Sequence, residues 1–310
     1  VWNGENKIED RNYVPALVVM NMILHETGQT VDGLQCLDSM ICIAAGKPFQ
    51  GEKMKQAIML LNGKAGSFAA MTVSGILSTI CGDDSDAVKQ FSKAAEENSE
   101  ARHCLGECYW RGKGIGQNKQ LALSWFVKAN ELGNVGAKCS VAICYHLGFG
   151  VQEKNMPLSL RLYREAAEAG SAQAEANLGL CYEFGVGVEQ NVEEAIQHYL
   201  KAAEKGETTA MCNLAACLNA GKGGMKEDQQ VAEDAVKWWK RAAEQGNAEA
   251  QYNLGVCYQN GIGITLEKEE AFKCFKEAAD QGGYVAAMKS LAWCYDVGFG
   301  VKKDSKVAKS

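Results

Sequence analysis

This 310-residue sequence predicts an all-α fold, a right-handed superhelical solenoid of stacked antiparallel helix hairpins. Three features carry that expectation. A Cys-Tyr pair recurs at a period near 36 residues, a Gly-x-Gly turn follows each pair at a fixed distance, and 33 glycines stand beside only 3 prolines. Loop-rich and disordered chains raise glycine and proline together. Here glycine rises alone, so it punctuates helices and does not loosen the chain. A fixed internal period of roughly 20–50 residues marks a stacked array.

The first helix of each repeat holds Cys108-Tyr109, Cys144-Tyr145, Cys181-Tyr182, Cys217-Leu218, Cys257-Tyr258 or Cys294-Tyr295, at intervals of 36, 37, 36, 40 and 37 residues. Two residues before each cysteine is a small residue: Gly106, Ala142, Gly179, Ala215, Gly255, Ala292. An aliphatic precedes it (Leu105, Val141, Leu178, Leu214, Leu254, Leu291). These positions fall on one helical stripe that must be buried, and the small residue lets a second helix come close. The turn follows as Gly112/Gly114, Gly148/Gly150, Gly185/Gly187, Gly221/Gly223, Gly261/Gly263 and Gly298/Gly300. Side chains resist the positive φ such a turn needs. The second helix carries a bulky pair, Trp125-Phe126, Leu162-Tyr163, His198-Tyr199, Trp238-Trp239 or Cys274-Phe275, of which Trp125, Trp238 and Trp239 are expected in the core. It closes on Gly133, Gly170, Gly206, Gly246 or Gly282, each expected as a left-handed cap. One hairpin cannot bury its apolar face alone, so neighbours must stack.

Along the chain, residues 1–66 read as divergent N-terminal helices, either degenerate repeats forming a cap or a separate small domain. Within them, residues 12–27 form one expected helix, and Leu34 to Ala45 pairs with Glu52 to Asn62. Residues 67–99 read as a hairpin with a turn four residues shorter, built on Gly75, Ala87, Phe91 and Ala94. Five full repeats occupy 100–284, and 285–310 begins a sixth. Repeat four lacks the tyrosine and has a longer turn around Gly221 to Asp228. Repeat two has an extra residue and Pro157 in the first turn of its second helix, where proline is tolerated.

This set of positions resembles the Sel-one-like repeat family, a relative of the tetratricopeptide repeat. Its clearest copy runs from Ala174 to Gly206, with Asn177-Leu178-Gly179, Tyr182, Gly185-Val186-Gly187-Val188, Ala195, Tyr199 and Ala202-Ala203. The resemblance implies a partner-binding solenoid whose first helices line a concave face. Some bacterial members staple the two helices of each repeat with a disulfide. That would need a second cysteine in each second helix, and only Cys274 stands there.

Composition excludes several classes. Thirty-two Lys+Arg against 38 Asp+Glu give a net charge of −6 with no basic stripe, so nucleic acid is not an expected partner. The longest apolar runs, such as Val14 to Val19, fall far short of the ~20 residues that span a bilayer. No signal peptide is visible. The chain starts at Val1 and stops at Ser310 inside a pattern that should continue, which leaves an upstream organelle-targeting segment open. Six of 13 cysteines occupy the buried repeat position, and equivalent cysteines of neighbouring repeats lie roughly 10 Å apart, since packed helices are separated by about that distance. A disulfide needs less than about 7 Å between Cα atoms. Free thiols and a reducing compartment, cytoplasmic or other, are therefore expected. No Cys-x-x-Cys exists and His25, His103, His146 and His198 do not cluster in sequence, so no metal or cofactor is expected. Gly112-Lys113-Gly114-Ile115-Gly116 looks like a phosphate loop but recurs as a turn and lacks Gly-Lys-Ser/Thr. No Ser-x-x-Lys, Gly-x-Ser-x-Gly or His-Glu-x-x-His occurs, so no catalytic residue is assigned.

What remains is a binding surface. Relative to the small residue, the groove offsets are expected three and two before, one after and four after. Asparagine recurs two before, at Asn177, Asn213 and Asn253. An amide both donates and accepts, so a row of them suits an extended peptide backbone; equally, it suits ties between neighbouring helices. The other groove candidates are His103, Glu107, Trp110, Arg111, His146, Leu180, Glu183, Tyr252, Gln259, Lys289, Trp293 and Asp296. Exposed aromatics among them would anchor a partner. The expected function is a non-catalytic scaffold or adaptor within a multi-subunit assembly, holding a partner peptide or helix. The alternative is a regulatory or substrate-recruiting arm of a larger enzyme, a kinase or ubiquitin-ligase complex. A catalytic solenoid is the remaining class.

Overall fold

A computed structural model describes residues 68–80, 82–223, 229–281 and 283–309. The helices expected within residues 12–62 lie outside these. The described residues form thirteen α-helices and no strand. In chain order they are α1 Phe68–Ile80, α2 Asp84–Ala94, α3 Ser99–Arg111, α4 Lys119–Glu131, α5 Val135–Leu147, α6 Met156–Glu168 and α7 Ala172–Phe184. Then come α8 Val192–Glu204, α9 Thr208–Asn219, α10 Gln229–Glu244, α11 Ala248–Asn260, α12 Lys268–Asp280 and α13 Val285–Val297, before a short 3₁₀ turn, Val307–Lys309. α1 packs on α2, α3 on α4, α7 on α8, α9 on α10 and α11 on α12 as hairpins, and within each unit α2 leans on α3, α4 on α5, α8 on α9, α10 on α11 and α12 on α13. The chain divides into two compact units, Val1–Leu162 and Tyr163–Ser310, with the boundary inside α6.

Local chemistry sets the helix ends. An asparagine side chain accepts from the N–H three residues on at Asn98, Asn118, Asn134, Asn191 and Asn247, satisfying donors that the first helical turn leaves bare. Ser171 and Glu207 do the same at α7 and α9. At the other end, Gly112, Gly148, Gly185, Gly261 and Gly298 cap the first helices in the left-handed region, each donating its N–H to the carbonyl of the repeat cysteine. Each tyrosine carbonyl then accepts from the N-cap residue of the second helix, as in Asn118 to Tyr109 at 2.9 Å and Glu267 to Tyr258 at 3.1 Å. In repeat four the helix ends on Ala220 in ordinary geometry, and the positive φ falls at Gly221 and Gly223. Gly282 lies outside the described residues, and the positive φ after α12 is at Gly283.

The small residue beneath the second helix has a definite partner. A Cβ on Gly106 would stand 2.5 Å from the Phe126 ring, on Gly179 2.5 Å from Tyr199, and on Gly255 2.7 Å from Phe275. Gly75 and Phe91 show the same contact, at 2.6 Å, across the short turn between α1 and α2. One member of each bulky pair therefore enters the core: Phe126, Tyr163, Tyr199, Trp239 and Phe275 are buried. Trp125 and Trp238, expected in the core, are only half-buried. They lie on the outer side of their helices, under Lys128 and Arg241. Two adjacent residues of a helix point about 100° apart, so a narrow stripe takes only one of them.

Candidate functional site

Within each unit, equivalent positions of the first helices can be compared. In the second unit, α7, α9 and α11 present Asn177 and Leu180, Asn213 and Ala216, and Asn253 and Val256, all partly or fully exposed. The face therefore alternates amides with small apolar side chains. In the first unit the amide position is taken by Cys104 and by Ser140, the latter buried. Asn177 donates from Nδ2 to the carbonyl of Gln173, one turn back in its own helix, at 2.9 Å. The Nδ2 of Asn213 is covered and has no hydrogen-bond partner. A donor left unsatisfied in this way costs about 1–3 kcal/mol.

Three of the expected groove residues, His103, Trp110 and Tyr252, touch the next hairpin. His103 Nε2 lies 3.0 Å from Ser140 Oγ in the next hairpin. Glu107 pairs with Arg111 in α3 at 3.3 Å. Trp110 lies 3.8 Å beneath Lys119 Nζ, edge-on to Phe149. His146 is half-buried, and burial, followed by Lys154, holds its imidazole below the usual range. Tyr252 packs between Phe275 and Tyr284. Gln259 is half-buried. Lys289, Trp293 and Asp296 on α13 are exposed, with Trp293 against Phe299 and Asp296 accepting from Ser305 Oγ at 3.1 Å.

Glu183 is only 8% exposed. Its carboxylate accepts from Tyr199 Oη at 2.8 Å and from Lys222 Nζ, also at 2.8 Å. It therefore fastens the α7/α8 hairpin to the turn that follows α9. Glu183→Ala is expected to lower unfolding free energy by about 2 kcal/mol, because a charge-assisted acceptor is removed and the tyrosine hydroxyl is left buried. Urea denaturation checks this, with Glu183→Gln retaining the tyrosine bond and costing less. A loss below about 0.5 kcal/mol for the alanine variant would count against the tie.

Sequence reasoning missed two sets of residues. One is the row of capping asparagines, which shares the cysteine period and was visible in the sequence. The other is a set of polar ties from a first helix to its own second helix or to the cap that follows it: Glu100 with Asn134 at 2.8 Å, Glu175 with His198 at 2.7 Å, and Gln251 with Gln281 at 2.6 Å. No single period reveals these, because their residue types change from repeat to repeat.

The ten described cysteines are free thiols, and all but Cys104 are buried. Burial pushes Cys108, Cys144, Cys217, Cys257 and Cys274 up to about 12, and Cys181 and Cys294 up to about 11. They are inert at neutral pH, since the thiolate is the reactive form. Among the described residues no three His, Cys, Asp or Glu side chains are grouped to hold a metal ion, and no helix is long and apolar enough to cross a membrane.

Stacked two-helix repeats define a helical-repeat protein of the kind that generally serves as a protein-interaction scaffold. Residues 99–134, 136–171, 172–207, 208–247, 248–283 and 285–309 each match the Sel1 repeat, and the chain belongs to that family. A Sel1 repeat protein from Oxalobacter formigenes is 31% identical, over 77% of this chain and 94% of that one, with a TM-score of 0.62. Two more distant structures share the fold alone. The anaphase-promoting-complex hetero-tetramer Cut9-Hcn1 is 14% identical over 89% of this chain and 51% of that one, with a TM-score of 0.55. Yeast Tom70 is 12% identical over 94% of this chain and 69% of that one, with a TM-score of 0.52. No curated protein matches the chain. Sel1 repeat proteins are generally interaction scaffolds, and their fold is typically non-catalytic.

Proposed function

We propose that this chain is a non-catalytic scaffold of a multi-subunit assembly, and that the first-helix face of α7, α9 and α11 holds an extended peptide segment of a protein partner. The carrying observation is the Asn213 amide, whose Nδ2 is covered and unpartnered in the middle of the Asn177–Asn213–Asn253 row. A peptide carbonyl reaching that donor after a rotation of the amide would remove its unsatisfied cost. Leu180, Ala216 and Val256, exposed or half-buried between the amides, offer apolar contact to alternate side chains of an extended strand. Main-chain recognition of this kind gives affinity without a strict sequence requirement. The free, buried thiols support operation in a reducing compartment.

Site-specific photocrosslinking tests the reading. A photoreactive residue replacing the exposed Ala216 is expected to give a discrete partner adduct, while the same residue replacing Lys237, exposed on α10, gives none. Adding Asn177→Ala, Asn213→Ala and Asn253→Ala should cut the adduct about tenfold or more, as expected for three lost hydrogen bonds of roughly 0.5–1.5 kcal/mol each, while helical content holds. Equal adducts from both positions, or an undiminished adduct in a folded triple variant, would argue against it.

A further inference from the structure

In each full repeat one residue precedes the buried bulky side chain of the second helix: Trp125, Leu162, His198, Trp238 or Cys274. Cysteine is the smallest of these. In repeat three His198 lies flat on the repeat tyrosine, Tyr182, with 11° between the rings and 5.4 Å between their centroids. Its Nδ1 is 2.7 Å from the Glu175 carboxylate and its Nε2 is 4.0 Å from Glu194. The tyrosine is thus a shelf, covered in this repeat by a planar ring that two carboxylates face.

The equivalent residues of repeat five are Tyr258, Cys274, Gln251 and Glu270. Here the thiol is too short to cover the tyrosine. A cavity of about 260 Å³ opens between α10, α11 and α12, with Leu254, Tyr258 and Cys274 among its walls. Pockets for drug-sized molecules run from about 300 to 1,000 Å³, so this one suits a single side chain. The carboxylates of Glu244, Glu270 and Glu277 line it with the ammonium groups of Lys240 and Lys273, an excess of negative charge. The lysines hold the site loosely. Lys273 Nζ is 3.9 Å from Glu270, beyond hydrogen-bond length, and Lys240 Nζ is 5.7 Å from the Tyr258 centroid, at the outer edge of cation–π range. A cation is therefore the favoured guest, and a planar one repeats the stacking seen in repeat three. Guanidinium stays charged, stacks on aromatic rings and presents its donors in one plane to carboxylates.

We propose that the cleft walled by Tyr258, Cys274, Glu270 and Glu277 is a socket for an arginine side chain of a protein partner, whose guanidinium lies on the Tyr258 ring where repeat three carries its own imidazole. None of its residues belongs to the Asn177–Asn213–Asn253 row, so the two sites stand or fall separately.

Titration of N-acetyl-arginine methylamide into the whole chain, followed by NMR chemical shifts, reads the site. Saturable binding is expected with a dissociation constant on the order of millimolar, as suits one side chain. The citrulline analogue has nearly the same shape without the charge and should bind about tenfold more weakly or worse. The lysine analogue, which has no plane to stack, should lose about threefold or more. Glu270→Gln and Glu277→Gln should each cost about threefold, and together about tenfold. Cys274→His should cover Tyr258 from within the chain, as His198 covers Tyr182, and remove binding while circular dichroism stays helical. Should the histidine variant not fold, the two glutamate variants decide, since both side chains reach solvent. No saturable shift up to about 50 mM overturns the proposal. So does equal binding of the arginine and citrulline analogues, or undiminished binding in a folded Cys274→His chain. Free arginine bound about tenfold more tightly than the capped form would overturn the partner side chain as the source and assign the socket to the amino acid itself.

Discussion

Gly263→Ala is expected to destabilise the second unit by about 3–5 kcal/mol, whereas Gly261→Ala two residues away costs about 1–2 kcal/mol. Both glycines hold positive φ, +69° at Gly261 and +63° at Gly263, so both pay the left-handed strain of an L residue. Only the second meets a neighbour's backbone. A Cβ at Gly263 would stand 2.3 Å from the carbonyl oxygen of Ala232, in the first turn of α10 in the preceding repeat. At Gly261 the nearest atom is Leu266 Cβ at 3.6 Å, an ordinary contact. The same approach recurs at Gly114 on Asp84, Gly150 on Lys119 and Gly300 on Lys268. Repeat four differs in the expected direction: its longer turn leaves Gly223 against the Ile196 Cδ1 atom at 2.8 Å, the movable end of a side chain. Gly223→Ala should therefore fall between the other two. The Gly263 loss lies on the interface between the α9/α10 and α11/α12 hairpins. Unfolding should consequently broaden into two steps, as nearest-neighbour coupling weakens in a one-dimensional array. Urea denaturation of the three variants decides the matter, and alanine costs at Gly261 and Gly263 within about 1 kcal/mol of each other would refute the backbone contact.

The sequence period displayed which glycines were needed but not all of what they touched. Positive φ at both turn positions follows from residue type alone. The Ala232 carbonyl behind Gly263 does not, because it depends on how one hairpin leans on another. The same gap explains the groove offsets. Three residues before the small residue was expected to face a partner, yet Cys139, Ala176 and Cys212 are buried there, and Glu183 is buried four residues after it. A period fixes which residues share a stripe. The rotation of the stripe relative to the next repeat is set by packing between different hairpins. The amide position differs from these, since Asn177, Asn213 and Asn253 are all half-buried. The cysteines were read from spacing alone, since one stripe position, repeated at the interhelix distance, leaves thiols too far apart to pair.

Those thiols set a pH limit on the fold. The second unit buries Cys181, Cys217, Cys257, Cys274 and Cys294, all held well above the ~8.5 of an unfolded cysteine. Because the folded values are raised, the native chain keeps its thiol protons at a pH where the unfolded chain has released them. The stabilisation is complete below about pH 8.5 and is lost as the pH climbs toward the folded values of about 11 to 12. Between pH 7.5 and 9.5 each thiol should remove about 1.4 kcal/mol, and the five together on the order of 7 kcal/mol, comparable with the whole stability of an ordinary domain. Tyrosine and lysine titrate higher and contribute little in this window. Under a phosphine reductant, the urea midpoint should therefore collapse over these two pH units. Cys217→Ala with Cys294→Ala discriminates the cause. The pair lowers stability at pH 7.5 through lost packing, yet should flatten the pH slope by about two-fifths, because two of five protons no longer take part. A midpoint that holds between pH 7.5 and 9.5, or a slope unchanged by removing both thiols, would show that the buried cysteines do not govern alkaline unfolding.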